Sequence, residues 1–443
     1  MGAHESRRGS DLIQSGRFSS RWLQVGGGAA LLLLGPWILV GRQAGIPPTR
    51  SIYYEDGAIF LQDGLDEGLR SVATPYAGYL HVVPRWIAVA VAQFDLDWWA
   101  VMLVAVAGLV LCVVAWSIYV MSGDYIQSHG IRSALALSVV FLPVAQREVY
   151  NNVANLHWFL LYLTFWVLLW QPQRWLGSVS ASIGVLLVTL SSPFTVLLAP
   201  LAAYRLRSRT PKVVLVVSAY TVGTMVQMFV ALDPNVTRQT VGDDIPVQLG
   251  LSLDPLLFGQ HYLFHVIGRG TWGSWAAGDA RGPAGYVSVA VAIMLVILVA
   301  VLWRTCSCRT NELVVCSSAA ASVLSLAVPW SLAAGTIPAR YLVAPVLFYY
   351  VAMGGMIDDL LSSSAGAVHR CWRRAFMAGV LALAVFVAMT NYRVWSERSV
   401  DGDWPEQVQS ARQACIAERV DSVSLSIFAP MLSLSVDVAC EDI

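Results

Sequence analysis

Long runs of apolar residues, most of them long enough to cross a bilayer, dominate this 443-residue chain. A bilayer core needs about 20 apolar residues per helix. Only 13% of the residues are charged, whereas soluble domains carry about 25%, so too few charged groups exist to cover a soluble surface of this size. The sequence therefore indicates an integral membrane protein and excludes soluble enzymes and nucleic-acid-binding proteins.

The apolar runs predict an all-α polytopic fold with eleven candidate spans. The fifth and sixth are short and flank Ser191-Ser192-Pro193, so they could form one broken pair and we expect nine to eleven transmembrane helices. The candidate spans cover about residues 22–40, 98–120, 132–147, 156–171, 175–191, 193–204, 212–232, 284–303, 312–333, 341–357 and 375–391.

Charge predicts the orientation, because basic loops stay in the cytoplasm. Four arginines precede the first span: Arg7, Arg8, Arg17 and Arg21. With the N-terminus inside, alternation of the loops gives the cytoplasmic side 15 of the 28 basic and 6 of the 28 acidic residues, hence a net charge of +9 against −9 outside. An odd number of spans places the C-terminus outside the plasma membrane. Arginine supplies every basic residue except Lys212, which is typical of a GC-rich bacterium.

This membrane topology divides the chain into three parts: a cytoplasmic segment 1–21, a transmembrane domain 22–391 with outer loops 41–97 and 233–283, and an outer tail 392–443. Polar residues collect in the outer loops instead of lining the middle of the spans. Because ionisable groups at membrane depth are costly and tend to mark function, this distribution favours a site at the outer surface. A transporter would more often place charges near the midplane.

The first outer loop opens with Tyr53-Tyr54-Glu55-Asp56-Gly57 and continues with an amphipathic stretch, Pro75 to Phe94, which is expected to lie in the membrane interface. An acidic pair directly after the first helix, followed by juxtamembrane segments and many spans, resembles the GT-C superfamily of membrane glycosyltransferases. The resemblance covers the order of elements over nearly the whole chain. It implies a GT-C-like fold, a polyprenyl-phosphate sugar donor and transfer on the extracytoplasmic side to a cell-envelope glycan, glycolipid or protein.

The acidic pair has a chemical role in such a reaction. A carboxylate must take the proton of the acceptor hydroxyl as the new bond forms, and we assign Asp56 as this base. Glu55 is its neighbour, or the two together bind a divalent cation such as Mg²⁺, Mn²⁺ or Ca²⁺. The alternative is an exposed acidic turn, since Glu-Asp-Gly is ordinary turn chemistry.

Further outer residues are candidates for substrate binding. The resemblance makes Arg340, beside Tyr341, a candidate for the donor phosphate, with Arg147 and Arg85 as competitors; arginines snorkelling to the interface are the alternative. Glu148, Asn152, Asn155 and His157 would suit sugar hydroxyls or a metal if they share a helix face, and otherwise form a cap between two helices. His261 and His265, four residues apart, could face one way as weak metal candidates.

The tail contains Cys415 and Cys440, both assigned to the outer side. Asp403-Trp404-Pro405-Glu406 predicts a helix start, and two alternating runs around Ala429-Pro430 predict a β-hairpin. A small α/β unit has little core, so we expect these two cysteines to form a disulfide. Two alternatives to glycosyl transfer stay open: a transporter or flippase of a polyprenyl-linked sugar, and an envelope polysaccharide polymerase.

Overall fold

The computed structural model describes residues 26–145, 149–236, 254–273, 283–305, 309–332, 338–362, 367–394, 403–418, 420–427 and 434–443. These residues are mostly helical and contain one two-stranded antiparallel sheet. The helices are α1 (Gly26–Val40), α2 (Gln62–Glu67), α3 (Val82–Val91), α4 (Trp99–Met121), α5 (His129–Phe141), α6 (Leu156–Leu169), α7 (Trp175–Thr189), α8 (Ala199–Arg205), α9 (Pro211–Leu232), α10 (Pro255–His261), α11 (Arg269–Trp272), α12 (Pro283–Arg304), α13 (Glu312–Leu332), α14 (Val343–Ser362), α15 (Ala367–Thr390) and α16 (Trp404–Glu418).

Five helical stretches in the described ranges are long and apolar enough to cross a membrane: Leu96–Asp124, Pro211–Leu232, Gly285–Arg304, Glu312–Ser331 and Ala339–Ser362. Helices also occupy the other places where the sequence predicts spans, but their apolar stretches are shorter. The expected interruption is confirmed, because α7 ends at Thr189 and a 3₁₀ turn, Pro193–Leu198, precedes α8. Helix α5 ends at Phe141, earlier than predicted, since Leu142 precedes a proline and leaves the helical conformation.

Helices α6 and α14 form the centre of the bundle. Thirteen of the 14 residues of α6 are buried, as expected for a helix that is apolar on all sides. The most apolar stretch of α14 is 83% buried, whereas that of α12 is only 22% buried. Helix α12 therefore presents most of its apolar surface outward, where a bilayer would cover it.

Two buried carboxylates, Asp358 and Asp359, join the loops at one end of the bundle. Asp358 accepts hydrogen bonds from the backbone N–H groups of Gln127 and Ser128 at 2.9 and 2.8 Å. Asp359 accepts from Trp303 Nε1 at 2.8 Å and from the Asn311 N–H at 3.2 Å. The end of α14 is thus tied to the loops between α4 and α5 and between α12 and α13.

Replacing Asp359 by alanine should destabilise the protein. The change leaves the buried Trp303 and Asn311 donors without this acceptor, and each unpaired buried donor costs about 1–3 kcal/mol. We expect the free energy of unfolding to fall by about 2–5 kcal/mol, measured by thermal unfolding in detergent. Glu312→Gln is the control at the same end, because this exposed side chain only approaches Arg309 at 3.8 Å and should change little. Equal melting temperatures for both variants would contradict the role of Asp359.

The tail is a small α/β unit, as predicted. Helix α16 packs against a hairpin of β1 (Ser422–Ile427) and β2 (Leu434–Ala439), which are paired antiparallel. The disulfide between Cys415 and Cys440 is confirmed. It closes a loop with a sequence separation of 25 residues, for which loop-closure entropy suggests a stabilisation of about 3 kcal/mol.

The tail docks on the first loop, between α1 and α4. Trp404 Nε1 donates to the Leu96 carbonyl at 2.8 Å, and Arg412 pairs with Asp97 at 2.7 Å. Ile427 packs so closely against Gly57 that a Cβ there would lie 2.3 Å from its Cδ1. The tail and the first loop therefore lie at the same end of the bundle, opposite to Asp358 and Asp359.

Candidate functional site

Four segments that are far apart in the sequence meet at the end of the bundle that carries the tail. They are the acidic turn at Tyr53–Asp56, the turn Tyr76–His81, the segment Asn151–His157 between α5 and α6, and the 3₁₀ turn Ala339–Leu342. Hydrogen bonds link the acidic turn to the segment that leads into α6. Ring contacts link Tyr79 to His157 and, one residue further along α6, Trp158 to Tyr341. Most of the predicted site residues are thus brought together.

Asp56 is the most constrained residue of this site. It begins a π-helical turn, Asp56–Leu61, and its side chain is only 1% exposed. One carboxylate oxygen accepts from the Val153 N–H and the other from the Ala154 N–H, both at 2.9 Å. The exposed acidic turn considered above is therefore wrong for Asp56, which is buried and holds the segment that leads into α6. Glu55, beside it, is half-buried.

Backbone strain collects around the same residues. Of the four non-glycine residues with positive φ in the described ranges, Tyr54 (φ 26°), Ala77 (φ 53°) and Asn151 (φ 62°) lie in these segments. Such conformations cost about 1–3 kcal/mol each and persist only where the surrounding contacts enforce them, commonly at functional sites. The bond between Asp56 and the segment after Asn151 is one such contact.

The turn before α3 supplies an aromatic wall. The stretch Pro75 to Phe94 was expected to form one interfacial helix, but the helix begins only at Val82, and Tyr79 stacks on His81 with ring centroids 4.1 Å apart. Burial lowers the pKa of His81 well below its usual value, helped by His157 and Arg85. Burial also raises the pKa of Tyr79, as does Tyr341, while the charge of Arg340 lowers it. At neutral pH both side chains are therefore uncharged.

Arg340 brings positive charge to this wall. It lies half-buried in the 3₁₀ turn before α14, with its guanidinium 5.6 Å from the ring centroid of Tyr341. Its charge acts on both Tyr79 and His157. A guanidinium on an aromatic surface suits a phosphate group, because its planar fork of N–H donors matches the phosphate oxygens.

The competing arginines differ in their surroundings. Arg85 is 1% exposed and donates to Asp63 at 2.7 Å, with its guanidinium over the ring of Phe60. Its charge is thus already matched by a carboxylate. Arg147 and Glu148 lie outside the described residues.

The polar residues before α6 do not share a helix face, because the segment from Val149 to Asn155 is irregular. The Asn152 side chain instead accepts from the Asn155 N–H at 2.9 Å and donates to the Tyr150 carbonyl. These contacts correspond to the cap considered as the alternative. His157 follows in the first turn of α6, with Nδ1 2.8 Å from the Ala154 carbonyl oxygen.

His261 and His265 do face the same way, as expected. The rings of His261 and His265 are 5.0 Å apart, and His261 also contacts Trp330 at 4.3 Å. A π-helical turn, Tyr262–Gly268, follows α10 and carries His265. Among the described residues, however, no three His, Cys, Asp or Glu side chains converge on a point that could hold a metal ion. Neither this pair nor Glu55 and Asp56 thus forms a complete metal site within those ranges.

Several features of the site escaped sequence reasoning. The positive φ of Tyr54 has no signal in the sequence, because tyrosine normally avoids this conformation. Trp158 looked like one more apolar residue of a span, yet its ring joins His157, Phe194 and Tyr341 at centroid distances of 4.5, 5.0 and 5.1 Å.

Comparison of the chain with models of known protein families, with curated proteins and with solved structures finds no match. The function is therefore inferred from the residues themselves.

Proposed function

We propose that this protein is an extracytoplasmic glycosyltransferase of GT-C type. It moves a sugar from a polyprenyl-phosphate donor to a hydroxyl of a cell-envelope glycan, glycolipid or protein. One observation carries the proposal: Glu55, beside the buried Asp56, and Arg340 both act electrostatically on Tyr79 at one end of an apolar helix bundle. A lipid carrier in the bilayer would present its phosphate near such an end.

The proposed chemistry uses these groups in one displacement. The acceptor oxygen attacks the anomeric carbon of the sugar, while the bond from that carbon to the phosphate oxygen breaks and the phosphate leaves with the electron pair. The acceptor proton passes to the Asp56 carboxylate, which the Val153 and Ala154 amides orient. Glu55 adds negative charge beside it, and Arg340 stabilises the departing phosphate.

A divalent cation remains part of the resemblance, but the described residues do not supply a full ligand set. We therefore derive no step through a metal. Comparing turnover in EDTA and in Mg²⁺, Mn²⁺ or Ca²⁺ tests this requirement separately.

The proposed topology has nine to eleven spans, the shorter apolar helices included, in the plasma membrane of a GC-rich bacterium. The N-terminus is cytoplasmic and the tail extracytoplasmic. Support comes from the Cys415–Cys440 disulfide, since disulfides persist in oxidising compartments. The contacts that group the loops at two opposite ends of the bundle also agree with this topology.

The test is transfer by the purified full-length protein in detergent. A panel of polyprenyl-phosphate hexoses and pentoses is incubated with envelope glycans, glycolipids and peptides, and products are read by mass spectrometry. We expect one donor to lose its sugar to one acceptor and to leave polyprenyl phosphate. Absence of transfer with every pair would count against the proposal, and movement of intact lipid-linked sugar across vesicles would favour a transporter.

A further inference from the structure

His157 presents a buried acceptor atom that the described residues do not satisfy. The residue is 6% exposed, and Nδ1 lies 2.8 Å from the Ala154 carbonyl oxygen. A carbonyl only accepts, so Nδ1 carries the proton and donates. The imidazole is neutral, because a buried cation without a negative partner is costly and the nearby charge is that of Arg340. Nε2 then holds a lone pair, and no partner for it is found among the described residues.

The neighbouring residue carries the complementary group. Trp158 is 1% exposed, and its Nε1–H donor likewise finds no acceptor in the described ranges. The two rings lie 4.5 Å apart at their centroids, so the two unpaired nitrogens belong to neighbouring rings in contact. Leaving a buried polar group unpaired costs free energy, and native proteins rarely keep such groups without a reason.

The acidic turn fixes this arrangement through a single residue, Ala154. Asp56 accepts from the N–H of Ala154, and His157 donates to the C=O of the same residue. The carboxylate thus anchors the residue whose carbonyl sets the histidine tautomer, and the lone pair of Nε2 is directed away from that carbonyl. Trp158 in turn contacts Tyr341, which lies beside Arg340.

We propose that His157 Nε2 and Trp158 Nε1 bind the sugar of the lipid-linked substrate through its hydroxyl groups. A hydroxyl donates to Nε2, and a hydroxyl oxygen accepts from Nε1–H, so the pair matches a polyol. An ionised phosphate only accepts hydrogen bonds and would leave Nε2 unpaired. This inference rests on the proposed function and deepens it, since it assigns the sugar to His157 and Trp158 and the phosphate to Arg340.

The test uses two variants that separate the nitrogens of His157. His157→Asn keeps a donor near the position of Nδ1 but has no atom at Nε2, whereas His157→Gln places an amide near Nε2 and loses the bond to Ala154. Binding of two probes to the full-length protein is measured: polyprenyl phosphate and the polyprenyl-phosphate sugar that the wild type prefers. Melting temperatures are recorded alongside.

For wild type we expect the sugar-bearing lipid to bind more tightly than polyprenyl phosphate. His157→Asn should weaken binding of the sugar-bearing lipid about 10-fold and leave binding of polyprenyl phosphate unchanged. His157→Gln should bind the sugar-bearing lipid better than His157→Asn although it melts at a lower temperature. A purely structural histidine would give the reverse order, with the better-folded Asn variant also binding better.

Two results would overturn the inference, and they differ from failure of the proposed function. If wild type prefers the sugar-bearing lipid and His157→Asn keeps that preference, only the assignment to His157 is wrong. If His157→Asn weakens binding of both probes equally, the substitution has a general structural effect, and this result also refutes the assignment to His157. If wild type binds neither probe, the proposed function is wrong and the inference falls with it.

Discussion

Asp56→Asn should lower the rate of sugar transfer by about 10²–10⁴-fold, the usual loss when a general base is removed. The structure adds a second effect that the sequence did not suggest. Both carboxylate oxygens accept backbone N–H groups, and an asparagine has only one oxygen, so its NH₂ group must face one of these donors. We therefore expect a lower melting temperature as well, equivalent to about 1–3 kcal/mol.

Separating the two effects requires the rate per folded molecule. Turnover is measured on the monodisperse fraction from size-exclusion chromatography, below the melting temperature of the variant. Asp66→Asn is the control, since this exposed acid lies in the same loop and its only described side-chain contact is with Gln62. Near-normal turnover of folded Asp56→Asn would remove the base assignment, and the next candidate would be Glu55, tested as Glu55→Gln.

Arg340→Ala should weaken binding of polyprenyl phosphate by about 10–100-fold, because a charge-assisted hydrogen bond contributes about 1.5–3 kcal/mol. Arg340→Lys keeps the charge but loses the two-pronged geometry of the guanidinium, so its affinity should lie between wild type and alanine. Equilibrium binding of labelled polyprenyl phosphate to the purified protein measures both.

Arg70→Ala is the matched control, since Arg70 is an exposed arginine in the same outer loop as the acidic pair. It reports any effect of removing one outer positive charge. Unchanged affinity in Arg340→Ala would transfer the phosphate role to Arg147, because Arg85 is already paired with Asp63.

Local patterns in the sequence predict the architecture well. Apolar runs and basic loops are properties of neighbouring residues, so they place the helices and divide the loops into two groups. The structure of the tail is equally predictable from sequence. Alternation of apolar and polar residues predicts the hairpin, and two cysteines in one compartment predict the disulfide. The length of each helix is less predictable, since it depends on residues such as Pro143 that end a helix within an apolar run.

The geometry of the site depends on contacts that no local pattern records. Asp56 is buried because it meets amides 97 and 98 residues further along the chain. For the same reason no local pattern shows that Asp358 and Asp359, at the end of α14, bind the loops between α4 and α5 and between α12 and α13. Trp158 and Tyr79 become part of the site only when α6, α14 and the first loop pack together.

The most direct measurement follows a labelled sugar in proteoliposomes that contain the purified protein, the labelled polyprenyl-phosphate sugar and an acceptor on the face that carries the tail. We expect label to move to the acceptor on that face with wild-type protein and to stay on the lipid with folded Asp56→Asn. Label that never leaves the lipid while the lipid itself crosses the membrane would contradict the proposed glycosyl transfer.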